Sequence, residues 1–323
     1  MIPELITWTS LFFIGYVAIY FFADIIIDTL EDFSKVFRVS PVIAGIFILG
    51  IDLEESSVSL LAAFNQLPYI SIGNLIGNTI IATTLVFGLP VLFYRVNFKQ
   101  LPYFYYIVII VSAISITIAT AFPQFLSIFA FFNLAMFALY SLKSVKVQRD
   151  YREQLSQGKL NEEEIDGDDD DDDSLKGTII VKVVLALIAI FIGGEILLAS
   201  AEQIMALTSL SETFFGLIIM AYVTNVEEIF IIFKSIKKQR IELGLSAEIG
   251  KILWNITLIY GISGLLIVQF AFEPIMLMSS MIFLAMSAIL VINLLTDSFS
   301  MKTGIFYLSV LVFYVLMNVF FLL

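Results

Sequence analysis

The sequence predicts an all-α polytopic membrane protein, with ten transmembrane helices arranged as two inverted five-helix repeats. Three observations carry that prediction. The 323 residues are 60% hydrophobic, well above a soluble domain, and the apolar residues fall in runs long enough to cross a bilayer, about 20 residues each. The basic residues keep to every second loop. The chain also matches itself at an offset of 173 positions.

The spans are expected near 5–30, 39–64, 70–94, 101–121, 124–143, 178–205, 212–233, 246–269, 273–295 and 303–322. Breaks fall at charged or turn-forming points such as Glu31-Asp32, Gln66-Leu67-Pro68, Phe122-Pro123 and Glu273-Pro274. The first run follows Met1-Ile2-Pro3-Glu4 with no basic region and no small-residue cleavage site. It reads as a retained helix, not a signal peptide. Of the 17 Lys and Arg residues, all but Lys251 lie in or beside the odd-numbered loops, and the even-numbered loops and both termini carry none. Basic loops stay cytoplasmic. The expectation is an integral, multi-pass protein with both termini outside.

The fifth loop, 144–177, separates the repeats 1–143 and 178–323. It carries Glu162-Glu163-Glu164 and the run Asp168 to Asp173, and it contributes much of the net charge of -12. Its spacing is not that of a calcium-binding EF-hand loop. It reads as a solvated, self-repelling cytoplasmic linker, with weak cation sensing as the alternative.

In the self-match Glu55 lies on Glu228, Gly77 on Gly250 and Gly88 on Gly261. Thr83-Thr84-Leu85-Val86-Phe87-Gly88 lies on Ile256-Thr257-Leu258-Ile259-Tyr260-Gly261. Five spans is an odd number, so the second copy enters from the opposite face. Such inverted repeats place transport sites near the midplane.

With no Cys and no His, disulfides, thiolate metal sites and imidazole chemistry are excluded. What remains is two acidic stretches inside apolar sequence: Gly50-Ile51-Asp52-Leu53-Glu54-Glu55 and Val223-Thr224-Asn225-Val226-Glu227-Glu228. Intramembrane carboxylates are costly and face a cavity, a partner or an ion path. Asp52 and Glu55, three apart, are expected on one helical face, and so are Asn225 and Glu228. Brought together, these faces form an oxygen-rich pocket of the kind hard cations such as calcium require. Gly50, Gly73, Gly77 and Gly250 would let helices break or backbones approach, although Gly73 and Gly77 equally have ordinary packing spacing. Glu54 and Glu227 lie about a quarter turn away, at a cavity wall or carrying protons, because adjacent carboxylates in low dielectric do not all ionise together.

Lys251 has Glu248 one turn before it and Asn255 one turn after. It reads as a salt bridge to Glu248 or a snorkelling side chain, or else as an ammonium standing where a monovalent cation would bind. Asp24, Asp28, Glu195 and Glu202 read as structural or cavity-lining.

These residues resemble the calcium/cation antiporter superfamily, whose members carry a Gly-Thr-Ser-x-Pro-Glu motif in each half and Gly-Asn-x-x-Gly-Ser on the next helix. Gly73-Asn74-Leu75-Ile76-Gly77-Asn78 matches the second motif in five of six positions. The lead-ins Phe22 to Asp28, Gly193 to Glu202 and Leu210 to Leu217 also look family-like. The resemblance implies that Glu55 and Glu228 bind the cation, with Ile51 and Thr224 on the positions whose backbone carbonyls serve it. Asp52 and Asn225 replace the motif Ser, and Glu54 and Glu227 replace its Pro. Asn78 and Lys251 replace the following Ser. Ala82 and Asn255 fall where the family has Asn or Asp ligands, so Ala82 removes an oxygen and Lys251 adds a positive charge.

The expected activity is antiport of a divalent cation, calcium foremost, against protons or sodium by alternating access. The alternatives are antiport of magnesium, manganese or sodium and protons, and a channel or ion-sensing membrane protein. No enzyme is expected. Glu-Glu proteases of membranes need His for their metal, and the Asp run lies in a loop rather than on a helix as in prenyltransferases. No cofactor is expected. The expected partners are membrane lipid and inorganic cations, not nucleic acid.

Overall fold

The computed structural model describes residues 2–36, 50–94, 101–156, 173–225, 228, 232 and 241–322. These residues are helical apart from short connections, in the order α1 (Ile2–Val36), α2 (Leu53–Phe64), α3 (Pro68–Ile81), α4 (Gly88–Phe93), α5 (Tyr103–Ala121), α6 (Leu126–Ser156), α7 (Asp173–Thr208), α8 (Glu212–Phe214), α9 (Ala221–Thr224), α10 (Ile241–Trp254), α11 (Tyr260–Leu266), α12 (Pro274–Thr296) and α13 (Met301–Leu322). Among the described residues eight helical segments are long and apolar enough to cross a membrane, and Glu212–Thr224 is a shorter apolar one.

Local chemistry sets many of the ends. Pro68 and Pro274 stand in the first turns of α3 and α12, where a missing N–H costs nothing. Ser211 caps α8 by accepting from the Phe214 N–H at 3.1 Å. Asp297 ends α12 in the left-handed region, at φ 47°.

Two sequence expectations change. The segment 144–177 is not loop throughout: α6 continues to Ser156 and α7 begins at Asp173. The acidic residues from 157 to 172 lie outside the described residues. The second span is described only from Gly50. Its helix starts at Leu53, after a non-helical stretch over 50–52, so the acidic motif opens a helix rather than sitting inside one.

Among the described residues three π-helical turns interrupt the α-helices: Ala82–Val86 after α3, Phe215–Met220 between α8 and α9, and Asn255–Ile259 after α10. Such turns recur at functional sites. The 173-residue offset is visible in the backbone, because α3 and its π-turn begin and end at positions equivalent to α10 and its π-turn.

Helix α3 runs through the middle of the protein, with every residue but Tyr69 buried. Its glycines are used for packing. A Cβ on Gly77 would stand 2.2 Å from the Leu217 carbonyl oxygen, and one on Gly216 would stand 2.3 Å from that of Tyr69. Backbones this close are how membrane helices gain contact where lipid supplies no hydrophobic drive. Helix α1 pairs with α7, Gly15 against Gly193, and α5 pairs with α12 through Thr117, Thr120 and Ser280. Helix α4 packs on α13 through Gly88 and Gly304, and α11 packs on α6 through Gly261 and Gly264. The outer surfaces of α1, α7 and α13 expose large apolar side chains such as Phe13, Phe191 and Phe313.

Candidate functional site

The site is built where α2 begins. Asp52 is the N-cap of α2, and its Oδ1 accepts from the Glu55 N–H at 3.0 Å. Asp52 and Glu55 are therefore held together by a capping arrangement, not by sharing a helical face as the spacing suggested. Glu55 falls in the first turn, where the positive end of the helix favours a carboxylate. It is completely buried.

Two neighbours from the other half reach this carboxylate. Thr224, at the end of α9, puts its hydroxyl 3.0 Å from Glu55 Oε1. Asn255, the first residue of the π-turn after α10, donates from Nδ2 to Glu55 Oε2 and also to Asp52 Oδ2 at 3.2 Å. Asn78 donates to the Thr224 hydroxyl at 3.4 Å. Asp52, Glu55, Thr224, Asn78 and Asn255 thus converge.

The second acidic stretch is arranged differently. Asn225 is the C-cap of α9 and turns back on it, donating to the Ala221 carbonyl at 2.7 Å. Glu228 Oε1 lies 2.6 Å from the Lys251 ammonium, and both side chains are at least nine-tenths buried. Glu248 stands one turn before Lys251 on the same helix, and Glu228, which pairs with Lys251, lies 23 residues away in sequence. Lys251 and Asn255 are four apart, and residues so spaced neighbour one another on a helix, about 6 Å apart. Helix α10 and its π-turn therefore meet Glu228 through Lys251 and Glu55 through Asn255.

Asp52, Glu54, Glu55, Glu228 and Glu248 are all buried, while Lys251 is the only buried Lys or Arg among the described residues. Buried carboxylates within a membrane face a cavity, a partner or an ion path. Among the described residues no three acidic side chains form a metal-holding group. The ligand set available is mixed, made of carboxylates, amide oxygens and hydroxyls. Asn225 Oδ1 and Asn255 Oδ1 are buried without a hydrogen-bond partner among the described residues, which is costly unless something occupies them.

Ile51 is half-buried in the non-helical stretch before α2, and Ala82 is fully buried. Glu227 lies outside the described residues, as do the side chains of Asp24 and Asp28. Glu195 accepts a long 3.5 Å bond from Asn65, and Glu202 is exposed. Sequence reasoning missed Ser56 and Trp254. Trp254 donates to the Ser56 hydroxyl at 2.8 Å, and that hydroxyl donates to the Asp52 carbonyl, bracing α2 against α10. Their only signal was adjacency to Glu55 and Asn255.

The face that carries residues 65–67 and 267–273 is stitched between halves. Gln66 donates to the Leu266 carbonyl at 3.0 Å and accepts from the Val268 N–H at 3.0 Å. Glu212 accepts from the N–H groups of Tyr69 and Ile70, at 2.7 and 3.2 Å. A cavity of about 820 Å³ beside this seam is lined by Gln66, Tyr69, Gln124, Ser127 and Gln269, among others, and contains none of the buried acids.

The sequence pattern of the family described as "Sodium/calcium exchanger protein" matches residues 7–145 and 178–320. No curated protein matches the chain. Among solved structures, similar folds include the sodium-calcium exchanger NCX_Mj soaked with 2.5 mM Na+ and 10 mM Sr2+, at 20% identity and TM-score 0.61, covering 96% of this chain and 98% of that one. The same exchanger with 2.5 mM Na+ and 0.1 mM Ca2+ matches at 21% identity and TM-score 0.60, covering 95% and 97%. With zero Na+ and Ca2+ it matches at 20% identity and TM-score 0.60, covering 97% and 99%.

Proposed function

We propose that this chain, which belongs to the sodium/calcium exchanger protein family, is a secondary antiporter that exchanges a divalent cation, calcium foremost, for protons or sodium. This is a family of membrane transporters, not of enzymes. The observation that carries the reading is the meeting of the two acidic stretches on α10 and its π-turn. Glu55 bonds to Asn255, and Glu228 pairs with Lys251 one turn away. Carboxylates from the two halves are thereby gathered in one buried layer, with amide and hydroxyl oxygens beside them. Hard cations take such oxygens, and the mixed set suits calcium better than a rigid octahedral ion.

The architecture that goes with this reading is ten spans in two inverted five-helix repeats, 1–143 and 178–323, with both termini outside and residues 144–177 in the cytoplasm. The equivalence of α3 and α10 supports it. The chain has no cysteine, so single cysteines can report sidedness. A cysteine at Gln124 should be labelled by an impermeant reagent added outside intact cells, and one at Lys302 should not. The reverse pattern overturns the orientation.

Alternating access then means that the Gln66 seam opens in one state and closes in the other. The deciding experiment is uptake into proteoliposomes with imposed sodium or proton gradients, offering calcium, magnesium, manganese or sodium. Glu55→Gln and Glu228→Gln should each abolish exchange. Near-normal exchange by either would refute the site, and uptake independent of any counter-gradient would mark a channel.

A further inference from the structure

We propose that the Lys251 ammonium is a tethered cation permanently assigned to Glu228, and that the mobile divalent cation binds in the other half, on Asp52, Glu55, Thr224 and Asn255. This rests on the antiport reading above and narrows it to one half of the site.

Lys251 Nζ lies 2.6 Å from Glu228 Oε1 in a buried environment. A divalent cation placed on Glu228 would stand beside a positive charge that cannot diffuse away, and like charges at such range repel strongly where water is scarce. Among the described residues no ammonium lies in ion-pair contact with Glu55. Its two oxygens are held by a hydroxyl and an amide, both neutral.

The amide is the second observation. Asn255 directs Nδ2 at both Asp52 and Glu55, while its Oδ1 is buried without a hydrogen-bond partner among the described residues. Rotation of that amide by half a turn presents Oδ1 to the same point. With two carboxylates and the Thr224 hydroxyl, it would then face a cation instead of donating to its ligands. On the equivalent face of α3 the residues are Asn78 and Ala82, so this amide oxygen has no counterpart there.

The test measures binding of radioactive calcium and of manganese to the purified full-length protein, with exchange in proteoliposomes alongside. Glu55→Gln should weaken binding about 100-fold or more. Glu228→Gln alone should also be severely impaired, because it leaves a buried ammonium uncompensated. The double variant Glu228→Gln with Lys251→Gln removes both charges together, and it should recover binding to within about tenfold of the unaltered protein. Lys251→Ser should let sodium compete with calcium, since it frees Glu228 for a monovalent ion. Monodisperse elution and an unchanged Tm identify variants that have folded.

A folded double variant that binds as poorly as Glu55→Gln overturns the proposal. Sodium competition unaltered in Lys251→Ser also overturns it, and this variant serves if the double variant does not fold. Should the unaltered protein bind and exchange none of the cations, the antiport reading itself falls. Exchange by the unaltered protein with a dead but folded double variant sinks only the tethered-cation assignment.

Discussion

Helices α3 and α10 have the same backbone and opposite chemistry. Each runs for 14 residues and passes into a five-residue π-turn at equivalent positions. Yet Asn78 on α3 corresponds to Lys251 on α10, and Ala82 corresponds to Asn255. Helix α3 contributes one weak bond to Thr224. Helix α10 and its π-turn contribute the contacts to Asp52, Glu55 and Glu228. The repeat fixes where backbone is placed. It does not oblige the two halves to do equal work, and here the polar load has moved onto the second.

That comparison can be broken or sharpened by substitution. The largest effect is expected for Glu55→Gln in the exchange assay, a loss of about 100-fold or more, because a buried carboxylate that compensates a cation is removed. A retained rate would mean the first half is not the binding half. Next, Gly77→Leu should lower thermal stability sharply. Overpacking ordinarily costs about 1–3 kcal/mol, and here the neighbour is the Leu217 backbone carbonyl, which cannot give way as a side chain would. An unchanged Tm would show that α3 is not held as closely as described.

A smaller, more telling contrast sets Asn255→Ala against Asn78→Ala. The first should cost exchange about tenfold, the second about threefold or less, since a hydrogen bond to a charged group is worth about 1.5–3 kcal/mol and a long neutral one less. Equal losses would mean that α3 and α10 share the load after all. Smallest should be Gln66→Ala, which removes two exposed bonds across the seam and should change exchange rates only a few-fold. In contrast, a disulfide between Gln66→Cys and Val268→Cys should stop turnover reversibly if that face has to open. Full activity of the cross-linked protein would show that the seam is static.

The sequence located the spans well where prolines and polar turns punctuate apolar runs, as at Pro68, Pro123 and Pro274. Nearest-neighbour periodicity misled it at Asp52. A spacing of three reads as a shared helical face, but the same spacing serves an N-cap, and only the break over 50–52 distinguishes them. Helical neighbours such as Glu248 and Lys251 are visible in a sequence. Ion pairs between helices are not, since they depend on how two rods pack.

The sequence by itself therefore determined the membrane class, the helical repeat at a 173-residue offset, and which carboxylates sit in apolar surroundings. Those properties are local, set by hydropathy over a bilayer's thickness and by residue identity along the chain. Only the tertiary structure decided which side chains meet: Thr224 and Asn255 on Glu55, Lys251 on Glu228, and Gly77 against Leu217. Such pairings join residues far apart in the chain, and they follow from helix rotation and close backbone approach, which no single helix encodes.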